Sequence, residues 1–342
     1  MAPVKDSIEI ISKENVNIKV FAEEVETGLS KNRKSLPARF FYDARGSEIF
    51  QQITKMPEYY LTDSERSILN FHAKEIIDSV VQYRDQPGKE QTTLQIVEFG
   101  AGDSDKPYPL IDAILETGLP FEYIAIDISI TALENFGEKL NRRYNNINYR
   151  GIAGEYFECL EKINLADNTV KLVLFLGSNI GNFSFKDSVS FMHKINQYLS
   201  IDDHLLVGFD MVKNPTKLIQ AYSDSTNITA EFNLNLLDRM NRELGADFHR
   251  DNFFHYATFN PTMQAMESFI ISKVDQKVYI KTLDKTFTFD TFEPIHTEYS
   301  NKYTAKKIKA LAEESGFKTQ SYYTDLDCNF RNYLFTPVEK NI

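Results

Sequence analysis

Two glycine-bearing segments follow apolar runs in this chain, and each carries side chains able to grip a small polar ligand. The first is Glu98-Phe-Gly-Ala-Gly102. A glycine pair lets backbone approach a ligand closely, and the helix N-terminus expected beyond it presents free N–H groups. A tight turn is the plainer reading of GxG. Two acidic residues favour a ligand: Glu98, just before the glycines, and Asp127, at the end of the next apolar run, where it can accept both hydroxyls of a ribose. The second segment is Gly177-Ser-Asn-Ile-Gly-Asn182. Asn182 offers a donor and an acceptor without charge, suited to an amine or a carboxylate. A cap on the following helix is the alternative.

The glycine segment is not a dinucleotide fingerprint. GxGxxG needs a third glycine where this chain has Asp105. Acidic groups at Asp103 and Asp105 sit poorly against a pyrophosphate at a helix N-terminus. They tolerate a ligand with no phosphate and a positive sulfonium, so S-adenosylmethionine is preferred over NAD. Asp105 and Lys106 are then available to its zwitterionic tail. Other chemistries find little support. The histidines (His72, His193, His204, His249, His255, His296) form no HxxxH or HExxH, so no metal ligand is expected. Cys159 and Cys328 are far apart and make no CxxC, and no GxSxG elbow occurs.

The elements that must position these residues follow from periodicity. Strands are expected at 94–99, 123–126, 147–152, 170–176 and 205–210, alternating with helices at 107–117, 132–143 and 186–199. That alternation predicts an α/β, doubly wound, Rossmann-like parallel sheet. Thr62-Asp-Ser-Glu65 has the spacing of a capping box and opens a long helix. Residues 83–92 read as a loop, and Asp202-Asp203 as a turn. Helices at 215–223 and 228–244, then antiparallel strands at 265–274, 277–282 and 286–289, predict an inserted α+β lobe. A helix at 304–315, capped by Gly316, precedes a closing hairpin of 317–323 and 330–336. Upstream, Leu36-Pro-Ala-Arg-Phe-Phe-Tyr-Asp-Ala-Arg-Gly-Ser47 reads as a structured loop leading to a short helix that ends near residue 55. Its aromatics, like those of Met56-Pro-Glu-Tyr-Tyr-Leu61, read first as packing residues.

Composition bounds the function. The chain has 342 residues, 42% of them hydrophobic and 13% aromatic, enough to bury a large core without disulfides. A net charge of −11 argues against a general nucleic-acid binder. No apolar run approaches the ~18 residues of a membrane span. The N-terminal Met-Ala-Pro-Val-Lys-Asp-Ser-Ile-Glu-Ile-Ile lacks a signal-peptide core. A cytoplasmic monomer without nucleic-acid or membrane partners is expected, and the sparse cysteines fit a reducing compartment.

Several further motifs complete an ordered set: Phe41-Tyr-Asp-Ala-Arg-Gly-Ser47, Pro57-Glu-Tyr-Tyr60, Thr62-x-x-Glu65, Glu98-Phe-Gly-Ala-Gly102, Phe175-Leu-Gly-Ser-Asn-Ile-Gly-Asn182, Thr229-Ala-Glu-Phe-Asn233, Asn241-Arg-Glu-Leu-Gly-Ala-Asp-Phe248 and Thr297-Glu-Tyr-Ser-x-Lys302. From about Leu36 to the C-terminus the chain resembles the histidine-specific Nα-methyltransferases of ergothioneine biosynthesis. These convert L-histidine to trimethylhistidine, hercynine, with S-adenosylmethionine. The resemblance implies a class I methyltransferase domain (63–212 and 302–342) and a substrate-binding lobe (1–62 and 213–301). It implies that Tyr59 and Asn182 hold the substrate's amino and carboxylate groups. Gly177 would offer its carbonyl, and Tyr222 would bind the carboxylate. Tyr42 and Phe50 would line the cavity near the amine, with Tyr42 and Asn182 the catalytic pair. Glu298 and Ser300 would bind the imidazole. Gly100, Lys106 and Asp127 would bind the donor, with Tyr156 near the adenine.

Two departures stand out. Ala101 and Asp103 occupy glycine-loop positions where the family often has Ser and Thr. In Met266-Glu-Ser-Phe269, Ser268 replaces a methionine that lines the family's pocket. The alternative substrate is therefore another amino acid or an aromatic amine.

Overall fold

Short apolar runs bracketed by glycine, proline or acidic residues become the strands of one large sheet. They are β1 (Ile8–Ile10), β2 (Thr93–Phe99), β3 (Phe121–Asp127), β4 (Asn148–Ala153), β5 (Thr169–Phe175), β6 (His204–Asp210), β12 (Phe317–Thr324) and β13 (Phe330–Pro337). The computed structural model describes residues 7–11, 18–82, 93–102, 105–144, 147–162 and 169–339. The expected loop at 83–92 and Asp103 lie outside them. Strand order is β1-β4-β3-β2-β5-β6-β13-β12. All pairs are parallel except β6–β13 and β13–β12. The order reverses between β2 and β5, and in such sheets ligands bind outside the carboxyl ends of strands at that switch. Both glycine segments leave the sheet there.

Helices α4 (Tyr108–Thr117), α5 (Ile130–Arg143), α6 (Tyr156–Lys162) and α7 (Phe185–Gln197) connect the parallel strands. Gly118 ends α4 in the left-handed conformation, just past the helix expected at 107–117. Sheet positions such as Ile96, Val97, Ile124 and Leu174 are fully buried, each stabilising by about 1.5–3 kcal/mol relative to exposure. Helix α10 (Ala305–Glu314) leads into the antiparallel hairpin.

The chain forms two compact units: Met1–Glu14, Asp63–Met211 and Tyr303–Ile342 in the first, Asn15–Thr62 and Val212–Lys302 in the second. This differs from the expected 1–62 grouping at β1, which pairs in parallel with β4. The second unit holds α1 (Ile18–Leu29), α2 (Ala44–Ile53), α8 (Pro215–Tyr222) and α9 (Ile228–Leu244). Its antiparallel sheet, ordered β11-β8-β7, comprises β7 (Phe253–Asn260), β8 (Ala265–Ser272) and β11 (Pro294–Asn301), and β9 (Gln276–Ile280) pairs with β10 (Lys285–Phe289). Phe21, Phe40, Phe41, Leu237, Met240 and Ile270 are among its buried core. Sequence periodicity does not reveal β1, β7, β11 or α1. Strands β7 and β11 are rich in polar and aromatic residues and show no clean alternation.

Helix α3 (Tyr60–Val81) begins before Thr62, so the expected capping box does not form. Glu65 sits inside the helix, and its carboxylate is spent on other partners.

Candidate active site

In the first unit, Gly100 and Gly102 adopt φ of +67° and +55°, a region that penalises any Cβ. A Cβ at Gly100 would lie 2.7 Å from the Tyr156 hydroxyl and 3.2 Å from Asn179 Nδ2, so glycine is required. At Gly102 a Cβ would meet no atom of the described residues within 4 Å. Asp127, at the end of β3, accepts the Gly102 N–H at 2.9 Å on one oxygen and the Ser129 N–H at 2.9 Å on the other. These two bonds fix the carboxylate beside the glycine turn, with its oxygens as acceptors of the kind a vicinal diol requires. A left-handed glycine beside such a carboxylate fits the ribose of S-adenosylmethionine.

Tyr156 is half-buried, edge-on to Phe99 and Phe175, with its hydroxyl over Gly100. Burial pushes its phenol well above the usual range, so it acts as a neutral hydroxyl. Glu98 is buried and accepts from Tyr123 Oη at 2.7 Å. Burial raises its carboxyl to about 8, against the Tyr123 hydrogen bond and the Lys106 charge. Asp105 pairs with Arg66 at 3.2 Å.

Lys106 approaches Glu65 at 3.0 Å. The same carboxylate accepts the Gly177 N–H, at 2.8 and 3.0 Å. Gly177 has φ of +78° and Ser178 +59°, which starts the short 3-10 turn Asn179–Asn182. Asn182 ends that turn exposed, whereas the Asn179 amide lies against the Gly100 and Gly177 positions. Asn179 and Glu65 are the residues that reading by motif missed. Both stood inside quoted motifs, but only tertiary contact reveals what they touch.

The second unit gathers Tyr42, Phe50 and Tyr59, all half-buried. Tyr42 and Phe50 pack edge-on with ring centroids 5.4 Å apart, and Phe50 and Tyr59 do so at 6.2 Å. Phe232 of α9 joins them, 5.4 Å from Tyr42 and 5.8 Å from Phe50. Asp43 positions this wall. It caps α2 by accepting the Gly46 N–H at 2.6 Å, and it also receives Asn235 Nδ2 at 2.8 Å and the Arg242 guanidinium.

The β8–β11 pair carries the other polar cluster. His296 opposes Phe269 and Glu298 opposes Ser268, so Thr297 is an extra residue, a β-bulge. Were the pairing to run regularly through Thr297, Glu298 would oppose Glu267 on the other face. With the bulge Glu298 and Ser300 share the face of Ser268 and Met266. Thr297 Oγ1 lies 3.0 Å from the Ser268 carbonyl and 3.1 Å from Asn233 Oδ1, which fixes the bulge.

Next to it, Lys302 is fully buried. Its ammonium donates to Ser300 Oγ at 2.9 Å and to Tyr222 Oη at 3.0 Å, and those hydroxyls are 2.7 Å apart. Burial raises the Glu298 carboxyl to about 7, opposed by the Lys302 charge and by Ser268. Ser268 Oγ, buried beside Glu298, otherwise makes no hydrogen bond of normal geometry. His255, on the same sheet, has its imidazole lowered to about 4 by burial and an unpartnered Nε2.

Among the described residues no group of three His, Cys, Asp or Glu side chains is placed to hold a metal ion. No helix among them is long and apolar enough to cross a membrane.

Comparison with known proteins agrees with this chemistry. Residues 21–337 match the family model described as histidine-specific methyltransferase, SAM-dependent. The chain is 35% identical over 302 residues to a histidine N-alpha-methyltransferase of Mycolicibacterium smegmatis, covering 88% of this chain and 90% of that protein. It is 29% identical over 324 residues to ergothioneine biosynthesis protein 1 of Schizosaccharomyces pombe, covering 92% of this chain but 40% of that longer protein. A 4-dimethylallyltryptophan N-methyltransferase of Aspergillus fumigatus is 23% identical over 322 residues, with coverage of 91% and 92%. With the family model spanning almost the whole sequence, the chain belongs to the S-adenosylmethionine-dependent, histidine-specific methyltransferases.

Proposed function

We propose that the protein is an Nα-methyltransferase that carries L-histidine through three methylations to hercynine, the first step of ergothioneine biosynthesis, as a cytoplasmic monomer. The observation that carries the choice of substrate is the bulge at Thr297. It turns a carboxylate and a hydroxyl, Glu298 and Ser300, onto one face at the spacing of a small polar ring. An ionised Glu298 accepts a ring N–H, and Ser300 donates to the bare ring nitrogen. The substrate carboxylate sits beside Tyr222, where it meets the Lys302 ammonium, 3.0 Å from the phenol oxygen.

Tyr42, Phe50 and Tyr59 receive the amine. An α-amine is mostly protonated at neutral pH, and the half-buried aromatic wall favours its neutral, nucleophilic form. Tyr42 or a water carries the released proton. As methyls accumulate, the tyrosine faces accommodate the growing cation. Gly177 and Asn182 are assigned to the substrate by the resemblance alone. Gly100, Lys106, Asp127 and Tyr156 hold the donor, and Asn179 joins them. S-adenosylmethionine supplies an electrophilic methyl on sulfonium. Alignment of the amine accounts for much of the acceleration, with effective molarities of order 10⁵ M or more.

The test is mass spectrometry of reactions containing S-adenosylmethionine and single amino acids. Histidine alone should gain successive increments of one, two and three methyl groups. A second reading, another amino acid or an aromatic amine, is favoured by one feature: small, polar Ser268 opposes Glu298. Methylation of a different amine in the same panel would select it.

A further inference from the structure

Glu65 is a fully buried carboxylate that the proposed chemistry does not use. An isolated buried charge is costly, so its partners indicate its purpose. They come from three places along the chain. Lys106 beyond the glycine loop supplies an ammonium at 3.0 Å. The Gly177 turn supplies its N–H to both oxygens. Asn332 on β13 supplies Nδ2 at 3.3 Å. Space is reserved for this carboxylate: a Cβ on Gly208 would fall 2.3 Å from Glu65 Oε1. Lys106 Nζ also lies 3.1 Å from where a Gly177 Cβ would be, so lysine, turn and carboxylate close on one another.

We propose that Glu65 is a positioning residue for the methyl donor, holding the Lys106 ammonium against the Gly177 turn. The proposal rests on the reading of Lys106 as a donor contact. A lysine side chain has many rotamers, and one fixed partner removes most of that freedom before the ligand arrives. A carboxylate also sets the direction of the ammonium, and so where its charge meets a ligand anion such as the donor's α-carboxylate. Glu65 itself touches no ligand in this scheme.

The experiment is a double-mutant cycle read by calorimetric binding of S-adenosylhomocysteine. Glu65→Gln keeps an acceptor for the Gly177 N–H and removes the charge that holds Lys106. It should weaken binding about tenfold. Lys106→Met should weaken it at least as much. In the Lys106→Met background, Glu65→Gln should change binding less than twofold, because the partner through which it acts is gone. Melting temperature is recorded throughout, and a purely structural Glu65 would lower it equally in both backgrounds with additive effects on binding. An additive cycle, or no loss with Glu65→Gln alone, overturns the proposal. If Lys106→Met binds normally, the assignment of Lys106 to the donor fails first, and a loss confined to Glu65→Gln would show that separately. Should Glu65→Gln not fold, Glu65→Asp keeps the charge but withdraws it by one methylene, and the same dependence on Lys106 is required.

Discussion

The hydroxyls of Tyr222 and Ser300 lie 2.7 Å apart, and both accept from the buried ammonium of Lys302. An ammonium only donates, so its two bonds are assigned without ambiguity. One hydroxyl hydrogen is consumed between the two oxygens, and one is left over. The phenol is the stronger acid and the better donor, which leaves the Ser300 hydrogen to point out of the group. Ser300 therefore reads a ligand atom with a lone pair, while ionised Glu298 reads one with a hydrogen. A neutral imidazole has one of each.

Lys302→Met should for that reason damage histidine recognition rather than donor binding. Removing a charged donor from two buried hydroxyls costs about 1.5–3 kcal/mol, or roughly 10- to 150-fold in the affinity for histidine. Calorimetric titration with histidine should show that loss, with S-adenosylhomocysteine affinity within twofold of the parent. Equal losses for both ligands would mean that Lys302 supports the fold at large.

Deleting Thr297 tests the bulge. The deletion leaves Glu298 opposite Ser268 and Ser300 opposite Met266, but it removes the bulge and the hydroxyl that ties it to the Ser268 carbonyl and to Asn233, so both side chains lose the local bend that aims them. The variant should keep its donor affinity and lose about 100-fold or more in kcat/KM for histidine, because a site built around polar contacts rejects a ligand that cannot make them. Retained activity would mean that the bulge does not aim Glu298 and Ser300 at the ring.

The Glu298 carboxyl, raised by burial to about 7, sets a pH dependence. Its ionised form accepts the ring N–H. Histidine binding should therefore weaken as pH falls through about 7 and strengthen above it. Glu298→Gln should flatten that step and bind histidine weakly at every pH. Lys302→Met should move the step upward, because the ammonium is what opposes burial at this carboxyl. Titrations between pH 6 and 8.5 with a donor analogue present would show either behaviour.

Much of the first unit is legible in the sequence, because a parallel sheet buried on both faces writes itself as apolar runs such as Val170-Lys-Leu-Val-Leu-Phe-Leu176. The glycine loop and Asp127 are legible for the same reason: they end such runs. What the sequence conceals depends on tertiary position. Glu65 has the spacing of a capping box, and only the fold shows that α3 starts earlier and sends its carboxylate to Lys106 and Gly177. Asn182 and Asn179 are equivalent by composition, yet one is exposed and the other lies beside Gly100. Strand β11 is nearly all polar, and its inward-facing set cannot be read without locating the bulge. The aromatics of 41–60 read first as packing residues. Tyr42, Phe50 and Tyr59 do pack on one another, although each stays half-buried.

The Asp43–Gly46 segment gives the last prediction. The Phe41-Tyr-Asp-Ala-Arg-Gly-Ser47 motif is quoted for its aromatics, yet its glycine is its least replaceable member. A Cβ on Gly46 would sit 1.7 Å from the Phe41 carbonyl oxygen, and neither backbone can yield while Asp43 caps α2 through the Gly46 N–H. Gly46→Ala must therefore break the cap or displace Phe41, which is fully buried against Phe232 at 4.8 Å. The cost should be about 3 kcal/mol, the upper end for overpacking a core. Tyr42 follows Phe41 in the chain and packs on the same Phe232, so the displacement also moves the wall proposed to face the amine. Denaturant unfolding should show the destabilisation. Steady-state kinetics on the folded fraction should show a reduced kcat for histidine at unchanged donor affinity. A Gly46→Ala protein as stable and active as the parent would mean that the Phe41 carbonyl and Gly46 are not held in contact.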